Sequence, residues 1–178
     1  MQNIADILRN IRLLVLDVDG VLTDGRLYFD SNGEALKVFN TLDGHGIKML
    51  QSTGVDVAII TGRNHPAVAR RVSDLGIKYL YPGREDKLTA IQELWRESQL
   101  QSSQTAFMGD DWPDLLAMGA VTFAATVPNA ADEVKKRAHW CSTHAGGEGA
   151  VRELCELIMK AQGTLDKVLS PYIQGYHE

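Results

Sequence analysis

From residue 13 onward, short apolar runs alternate with stretches of helical period, and this alternation constrains the chain more than any other feature. "RLLVLDV" has strand character, "GIKMLQST" reads as a helix and "DVAIIT" as the next strand. "HPAVARRVSDLG" reads as a helix closed by Gly76, followed by a short strand in "IKYLY". "DKLTAIQELWRES" is helical, "TAFMG" a strand and "PDLLAMG" a helix. "VTFAA" and "HWCST" read as edge strands with a helix across "ADEVKKRA" between them, and "GAVRELCELIMKAQG" is a final long helix. Strands alternating with helices of this length lie parallel and are joined by right-handed crossovers. The expected fold class is α/β, a three-layer sandwich around a parallel central sheet. The chain has 178 residues and no repeat, low-complexity segment or long linker, so one domain over 1–178 is expected.

One segment interrupts the alternation. Residues 25–40 carry strand-like residues on both sides of Asn32-Gly33, a dipeptide suited to a tight turn because both residues accept positive φ. A projecting β-hairpin is expected there. Its Leu27, Tyr28, Phe29, Leu36, Val38 and Phe39 make more apolar surface than an isolated ribbon leaves in water. At the start, Ile4, Ile7, Leu8 and Ile11 fall at helical spacing, and residues 167–178 read as a flexible tail.

The net charge of −5 argues against a general nucleic-acid binder, which carries a basic face. No apolar stretch approaches the length that spans a bilayer, and residues 1–11 do not have the pattern of a signal peptide. Cys141 and Cys155 are too few for a disulfide scaffold and read as free thiols, which fits a cytoplasmic protein. The five histidines, His45, His65, His139, His144 and His177, show no metal-ligand spacing, and Trp95 and Trp140 read as core.

The apolar strand Leu13 to Leu16 runs directly into Asp17 and Asp19, where charge is costly to bury. In open α/β sheets ligands bind beyond the carboxyl ends of the strands. Other strands reach that edge at Thr61-Gly62-Arg63 and at Gly109-Asp110-Asp111, and Lys87 opens a helix nearby. Clustered carboxylates repel unless a hard cation joins them, and Mg2+ takes oxygen ligands. With a lysine and a hydroxyl added, the set suits a phosphoryl group.

"DVDGVLTDG", "IITGR", Lys87 and "GDDWPD" resemble, in order and spacing, the four motifs of the haloacid dehalogenase superfamily of phosphohydrolases. The resemblance implies a Rossmann-like sandwich in which Asp17 is the nucleophile and Asp19 the general acid and base. It also implies that Thr61 binds a phosphoryl oxygen, that Lys87 neutralises charge, and that Asp17, Asp110 and the backbone carbonyl of Asp19 hold Mg2+. Asp111 reads as a partner behind the metal ligands. Asp114 reads as either structural or lysine-orienting. Neither the interval from Gly25 to Asp56 nor that from Thr61 to Lys87 has room for a cap domain.

A narrower resemblance covers about residues 11–166. The four motifs, with "FNTLDGHGIKML", "SDLGIKYL" and "GGEGAVRELCELIMKAQGTLD", are similar to the 3-deoxy-D-manno-octulosonate 8-phosphate phosphatases. That family is capless, Mg2+-dependent and tetrameric, and acts in lipopolysaccharide synthesis. It implies a homotetramer joined through the hairpins. Around the site, Asn40 to Gly44, with Asp43 between them, lead into a helix whose first N–H groups suit an oxyanion. Gly62, Arg63, Lys87 and Asp19 belong to the expected substrate-binding set, and Arg63, which follows the phosphate-binding Thr61, is placed to reach a carboxylate in bidentate fashion. Arg71 falls on the inward stripe of Val68, Val72 and Leu75, where a structural ion pair and substrate binding are equally good explanations. Arg152, at the "GGEGAVRE" helix start, is either architectural or close to a neighbouring site. The family commonly has an arginine where this chain has Leu42. Phosphatases of nine-carbon sugar acids share the capless build and are the nearest alternative. A receiver-like or non-catalytic assembly module is a remoter one.

Overall fold

The computed structural model describes residues 3–175. The last three residues of the expected tail, His177 among them, lie outside the described residues. Strand β1 (Leu13–Leu16) is buried at every position, between β4 (Asp56–Ile60) and β6 (Thr105–Met108). With β5 (Tyr79–Tyr81), β7 (Phe123–Thr126) and β8 (Trp140–Cys141) they form one six-stranded parallel sheet in the order β5-β4-β1-β6-β7-β8. Strands covered on both faces need no polar alternation, which is why "LLVL" and "TAFM" are continuous apolar runs. Burying each such Leu, Val or Phe side chain contributes about 1.5–3 kcal/mol.

Helices α1 (Ile4–Leu8), α2 (Thr41–Ser52), α3 (Pro66–Leu75), α4 (Lys87–Ser98), α5 (Leu115–Ala120), α6 (Asp132–Lys135) and α7 (Ala150–Ala161) flank the sheet, with α8 (Leu165–Ile173) following. α2 and α1 pack on α7, and α4 packs on α5. Local chemistry sets the ends. His65 caps α3 by accepting from Ala67 N, Pro66 opens the helix, and Gly76 closes it at φ +65°. Asp86 caps α4 by accepting from Thr89 N, which fixes Lys87 as its first residue.

The chain runs β1, β4, β5 toward one edge, then returns to β6 and continues through β7 to β8 at the other. Its direction therefore reverses beside β1. The loops after β1 and β6 diverge there and leave a crevice.

Several elements differ from expectation. "VTFAA" is not an edge strand: β7 lies between β6 and β8, and the edges are β5 and β8. α2 begins at Thr41, before "GIKMLQST", because Asn40 caps it by accepting from Leu42 N. The hairpin is β2 (Tyr28–Asp30) with β3 (Gly33–Leu36), and Ser31-Asn32 form its turn. Asp30 Oδ1 accepts from Asn32 N, and positive φ is needed at Gly33 alone. Phe39 does not share the hairpin's exposure; it packs against the core under the Arg71 guanidinium. The first part of the expected tail is helical, as α8, with Leu165 and Val168 against the core. Trp95 and Trp140 pack against the core as expected, and Cys141 and Cys155 are free thiols.

Candidate active site

Asp17 follows the last residue of β1, and its backbone N–H still donates to Met108 O of the neighbouring β6. The sheet ladder thus carries the side chain to the crevice. The turn after it is tight. Thr23 Oγ1 donates to Val18 O and accepts from Gly20 N and Gly25 N, so one hydroxyl organises the whole DVDG loop. Gly20 sits at φ +88°, and a Cβ there would meet Asp110 Oδ2 at 2.0 Å. Glycine is required for two reasons: the backbone conformation, and the approach of the second acidic loop.

That second loop is fixed equally closely. Thr126 Oγ1 of β7 donates to Gly109 O at 2.7 Å, and Asp110 O accepts from Ala131 N. Asp114, fully buried, accepts at Oδ2 from the backbone N–H groups of Asp110 and Asp111. Its Oδ1 lies 2.5 Å from Lys87 Nζ, which is also 2.9 Å from Asp17 Oδ1. Asp114 is therefore both structural and lysine-orienting, and both its oxygens are occupied. A lysine in the first turn of a helix opposes the helix dipole. Here Asp17 and Asp114 offset that cost: burial works against the Lys87 charge, yet the two carboxylates hold its pKa above the usual lysine value.

The carboxylates themselves are strained electrostatically. Burial, and then Asp114, push Asp17 up to about 7 despite Lys87. Burial, and then Asp17 and Asp114, push Asp110 up to about 8. Oxygens of Asp17, Asp110 and Asp114 lie within 4.8 Å of one another. Asp110 Oδ1 is buried with no hydrogen-bond partner. An orphaned carboxylate oxygen facing a second carboxylate is the donor set a hard divalent cation takes. Asp114 carries three hydrogen bonds already, so Asp17 and Asp110 are the side chains that fit it best.

A cavity of about 500 Å3 opens here, lined by Asp17, Asp19, Thr61, Gly62, Arg63, Lys87, Asp110, Asp111 and Asp114 from the expected set. Gly25, Glu85 and Pro113 line it as well. Thr61 is buried, held by its N–H to Tyr81 O and by Arg84 N to its own carbonyl. Arg63 is partly exposed, with Nε 3.7 Å from Asp19 Oδ2. Asp111 caps the short turn at Trp112–Asp114 in a reciprocal pair with Asp114.

Asn40, Asp43, Gly44 and Arg71 do not line this cavity within one chain. Asn40 Nδ2 donates to Gly147 O, and Asn40 O accepts from the Arg71 guanidinium at 3.0 Å. A Cβ on Gly44 would collide with that guanidinium. Arg71 thus makes a backbone hydrogen bond rather than the structural ion pair considered for it. Asp43, buried, accepts from Arg152 N at 2.9 Å and so caps α7 from another helix. Arg152 packs over Gly46, an architectural contact within the chain.

Sequence reasoning missed three groups. Lys37 Nζ reaches Asp19 Oδ1 from the end of the hairpin. Asn129 donates to Gly20 O and accepts from Gly146 N. Gly146 and Gly147 press backbone to backbone on Gly20 and Thr23. The paired glycines of "GGEG" were the signal for the last contact; the other two left none in the local pattern.

Residues 79–154 match the haloacid dehalogenase-like hydrolase family. The 3-deoxy-D-manno-octulosonate 8-phosphate phosphatase KdsC of Haemophilus influenzae is 46% identical over 157 residues, covering 88% of this chain and 87% of that protein. The chain belongs to the 3-deoxy-D-manno-octulosonate 8-phosphate phosphatase family. Two solved structures agree with this membership. A probable YrbI family phosphatase from Pseudomonas syringae superposes with a TM-score of 0.94 at 50% identity, covering 97% of this chain and 98% of that one. The phosphatase of this family from Moraxella catarrhalis, in complex with magnesium, phosphate and KDO, gives 0.92 at 39% identity, covering 94% and 97%. The parallel sheet flanked by helices is the haloacid dehalogenase-like fold. In this member the interval between Thr61 and Lys87 holds α3 and β5 alone, so no cap is inserted there.

Proposed function

We propose that this protein is a Mg2+-dependent phosphatase that hydrolyses 3-deoxy-D-manno-octulosonate 8-phosphate to the free sugar acid and phosphate, in lipopolysaccharide precursor synthesis. The observation that carries this is the convergence of Asp17, Thr61, Lys87 and Asp110 on one cavity, in a chain that closely resembles a phosphatase solved with magnesium, phosphate and KDO. Asp17, Asp110 and the backbone carbonyl of Asp19 would hold Mg2+, which would supply the positive charge that lets a carboxylate approach an anionic phosphoryl group.

In the first step an Asp17 oxygen forms a bond to phosphorus as the bond from phosphorus to the sugar O8 breaks, and Asp19 donates its proton to O8. In the second, the Asp19 carboxylate takes a proton from water as the water oxygen attacks phosphorus. The Asp17–phosphorus bond then breaks, and phosphate leaves with Asp19 protonated again. Thr61 and Lys87 hold the phosphoryl oxygens, which is most of what such a transfer requires. Lys87 also balances Asp17 once its charge moves to the phosphoryl group. Arg63 and Gly62, at the mouth, suit the carboxylate of the sugar acid.

The enzyme acts as one domain and as a cytoplasmic homotetramer. Leu27, Phe29, Leu36 and Val38 on the hairpin are 43–65% exposed, an apolar ribbon that assembly would cover. Asn40, Asp43, Gly44 and Arg71 do not line the cavity within one chain, so any contact they make to substrate belongs to the assembled tetramer. No helix among the described residues is long and apolar enough to cross a membrane.

Phosphate release from a panel of eight- and nine-carbon sugar-acid phosphates tests the assignment. The octulosonate 8-phosphate is expected to give the highest kcat/KM, with release falling to background in Asp17→Asn or with a chelator. Preference for a nine-carbon substrate, or an Asp17→Asn protein of parental activity, would overturn it.

A further inference from the structure

Lys37 has no part in the reaction above, yet it is built into the site. It follows β3 on the projecting hairpin, and its side chain is only 1% exposed. Its Nζ lies 2.5 Å from Asp19 Oδ1. The other oxygen, Oδ2, faces Arg63 at 3.7 Å, and Arg63 lines the cavity together with Asp19. A long cationic side chain loses rotamer freedom and hydration when enclosed in this way. One partner that compensates is the residue assigned as acid and base.

A lysine ammonium has three donors and no acceptor. A carbonyl or carboxylate oxygen accepts from an ammonium much better than a hydroxyl oxygen does, so the proton of a neutral Asp19 favours the oxygen that Lys37 does not hold. With Oδ1 occupied by Lys37, the proton that Asp19 gives and later recovers belongs on Oδ2, the oxygen on the Arg63 side of the cavity. The same bond also stops the carboxyl group from rotating to exchange its two oxygens between the first step and the second.

We propose that Lys37 is a positioning residue for the phosphatase reaction: its ammonium pins Asp19 Oδ1 so that Oδ2 meets first the leaving oxygen and then the attacking water. This rests on the reading of Asp19 as acid and base. It also ties the hairpin to the chemistry, because the residue that orients the acid arrives on the same ribbon that carries the exposed apolar face.

The test compares two leaving groups in a single turnover. Sugar O8 departs as a poor leaving group and needs the proton; p-nitrophenolate scarcely does. Lys37→Met is expected to slow the first turnover of the octulosonate 8-phosphate on the order of 100-fold. The burst of nitrophenolate from p-nitrophenyl phosphate is expected to slow by less than about 3-fold. In the Asp19→Asn background, Lys37→Met should add no further loss. A hairpin tether with no positioning role would slow both substrates alike, and that result overturns the proposal. So does an unchanged Lys37→Met protein, or a double variant whose loss is the product of the two single losses. If Asp19→Asn itself keeps the parental rate on the sugar phosphate, the acid–base reading fails and takes this proposal with it. That failure is visible without any Lys37 variant. Should Lys37→Met not fold, Lys37→Gln, which keeps a polar group in the enclosed position, carries the same comparison.

Discussion

Asp110→Asn should make the metal-free protein more stable, not less. Asp17, Asp110 and Asp114 bring oxygens within 4.8 Å of one another, with Lys87 as the ammonium between Asp17 and Asp114. Burial first, and the neighbouring carboxylates second, raise Asp110 from 3.8 to about 8 and Asp17 to about 7. An acid raised by folding binds protons that the unfolded chain has already released. Its contribution to stability is therefore complete below about pH 4 and is lost as pH climbs through the folded value. Taken alone, the Asp110 displacement would be worth roughly 6 kcal/mol by pH 8. Relaxation and water entry absorb much of that, and replacing the charge with a neutral amide should recover about 1–3 kcal/mol. For a chain of this size that is about 3–10 °C in Tm. At pH 5 the folded carboxyl is protonated but the unfolded one is largely ionised, so the gain should shrink to about a third; it should vanish only below about pH 4. Mg2+ at about 100 times its Kd should add about 2.7 kcal/mol to the parent at pH 8 and little to the variant. Thermal melts at fixed protein concentration, at pH 5 and 8, with chelator or Mg2+, read all four quantities. An Asp110→Asn protein that melts below the parent at pH 8 without metal would refute the reasoning. Equal lifting of both proteins by Mg2+ would refute it too.

A methyl group on residue 146 should be costly, because its carbon would fall 1.8 Å from Gly20 O. Gly146→Ala is expected to lose about 2–3 kcal/mol in urea unfolding and to weaken phosphate release together with Mg2+ affinity; unchanged values would mean that the contact does not brace the acidic loops. On the hairpin, Phe29 is 65% exposed. Phe29→Asp should shift the mass measured by light scattering from that of the proposed tetramer to smaller species, and a parent that is not tetrameric, or a variant that stays tetrameric, would exclude the ribbon as the seam.

What was legible in the sequence was what is local. β1 and β6 declare themselves because a strand covered on both faces is apolar at every position. His65, Pro66 and Gly76 mark α3 by capping chemistry confined to its own ends. The order of strands is not local, and "VTFAA" was placed at an edge although the crossovers carry it inside. The start of α2 was misjudged for a similar reason: Gly44 and Gly46 lower helix propensity, but Arg71 and Arg152 occupy the space that side chains there would need. Within the site, motif spacing was enough to bring Asp17, Thr61, Lys87 and Asp110 together. It could not bring in Lys37, which meets Asp19 across 18 residues and a hairpin bend. Nor could it show that Asp114 is already engaged by Lys87 and two backbone N–H groups.

The contact of Gly146 and Gly147 with Gly20 and Thr23 has a consequence for synthesis on the ribosome. All four chemical motifs have been translated by residue 114, yet the turn bearing Asp19 is pressed into shape by backbone made more than thirty residues later. A nascent chain stalled in that interval holds every reactive side chain and an unfinished site. A reactive site is therefore expected only after the "GGEG" segment has been made and seats against that turn.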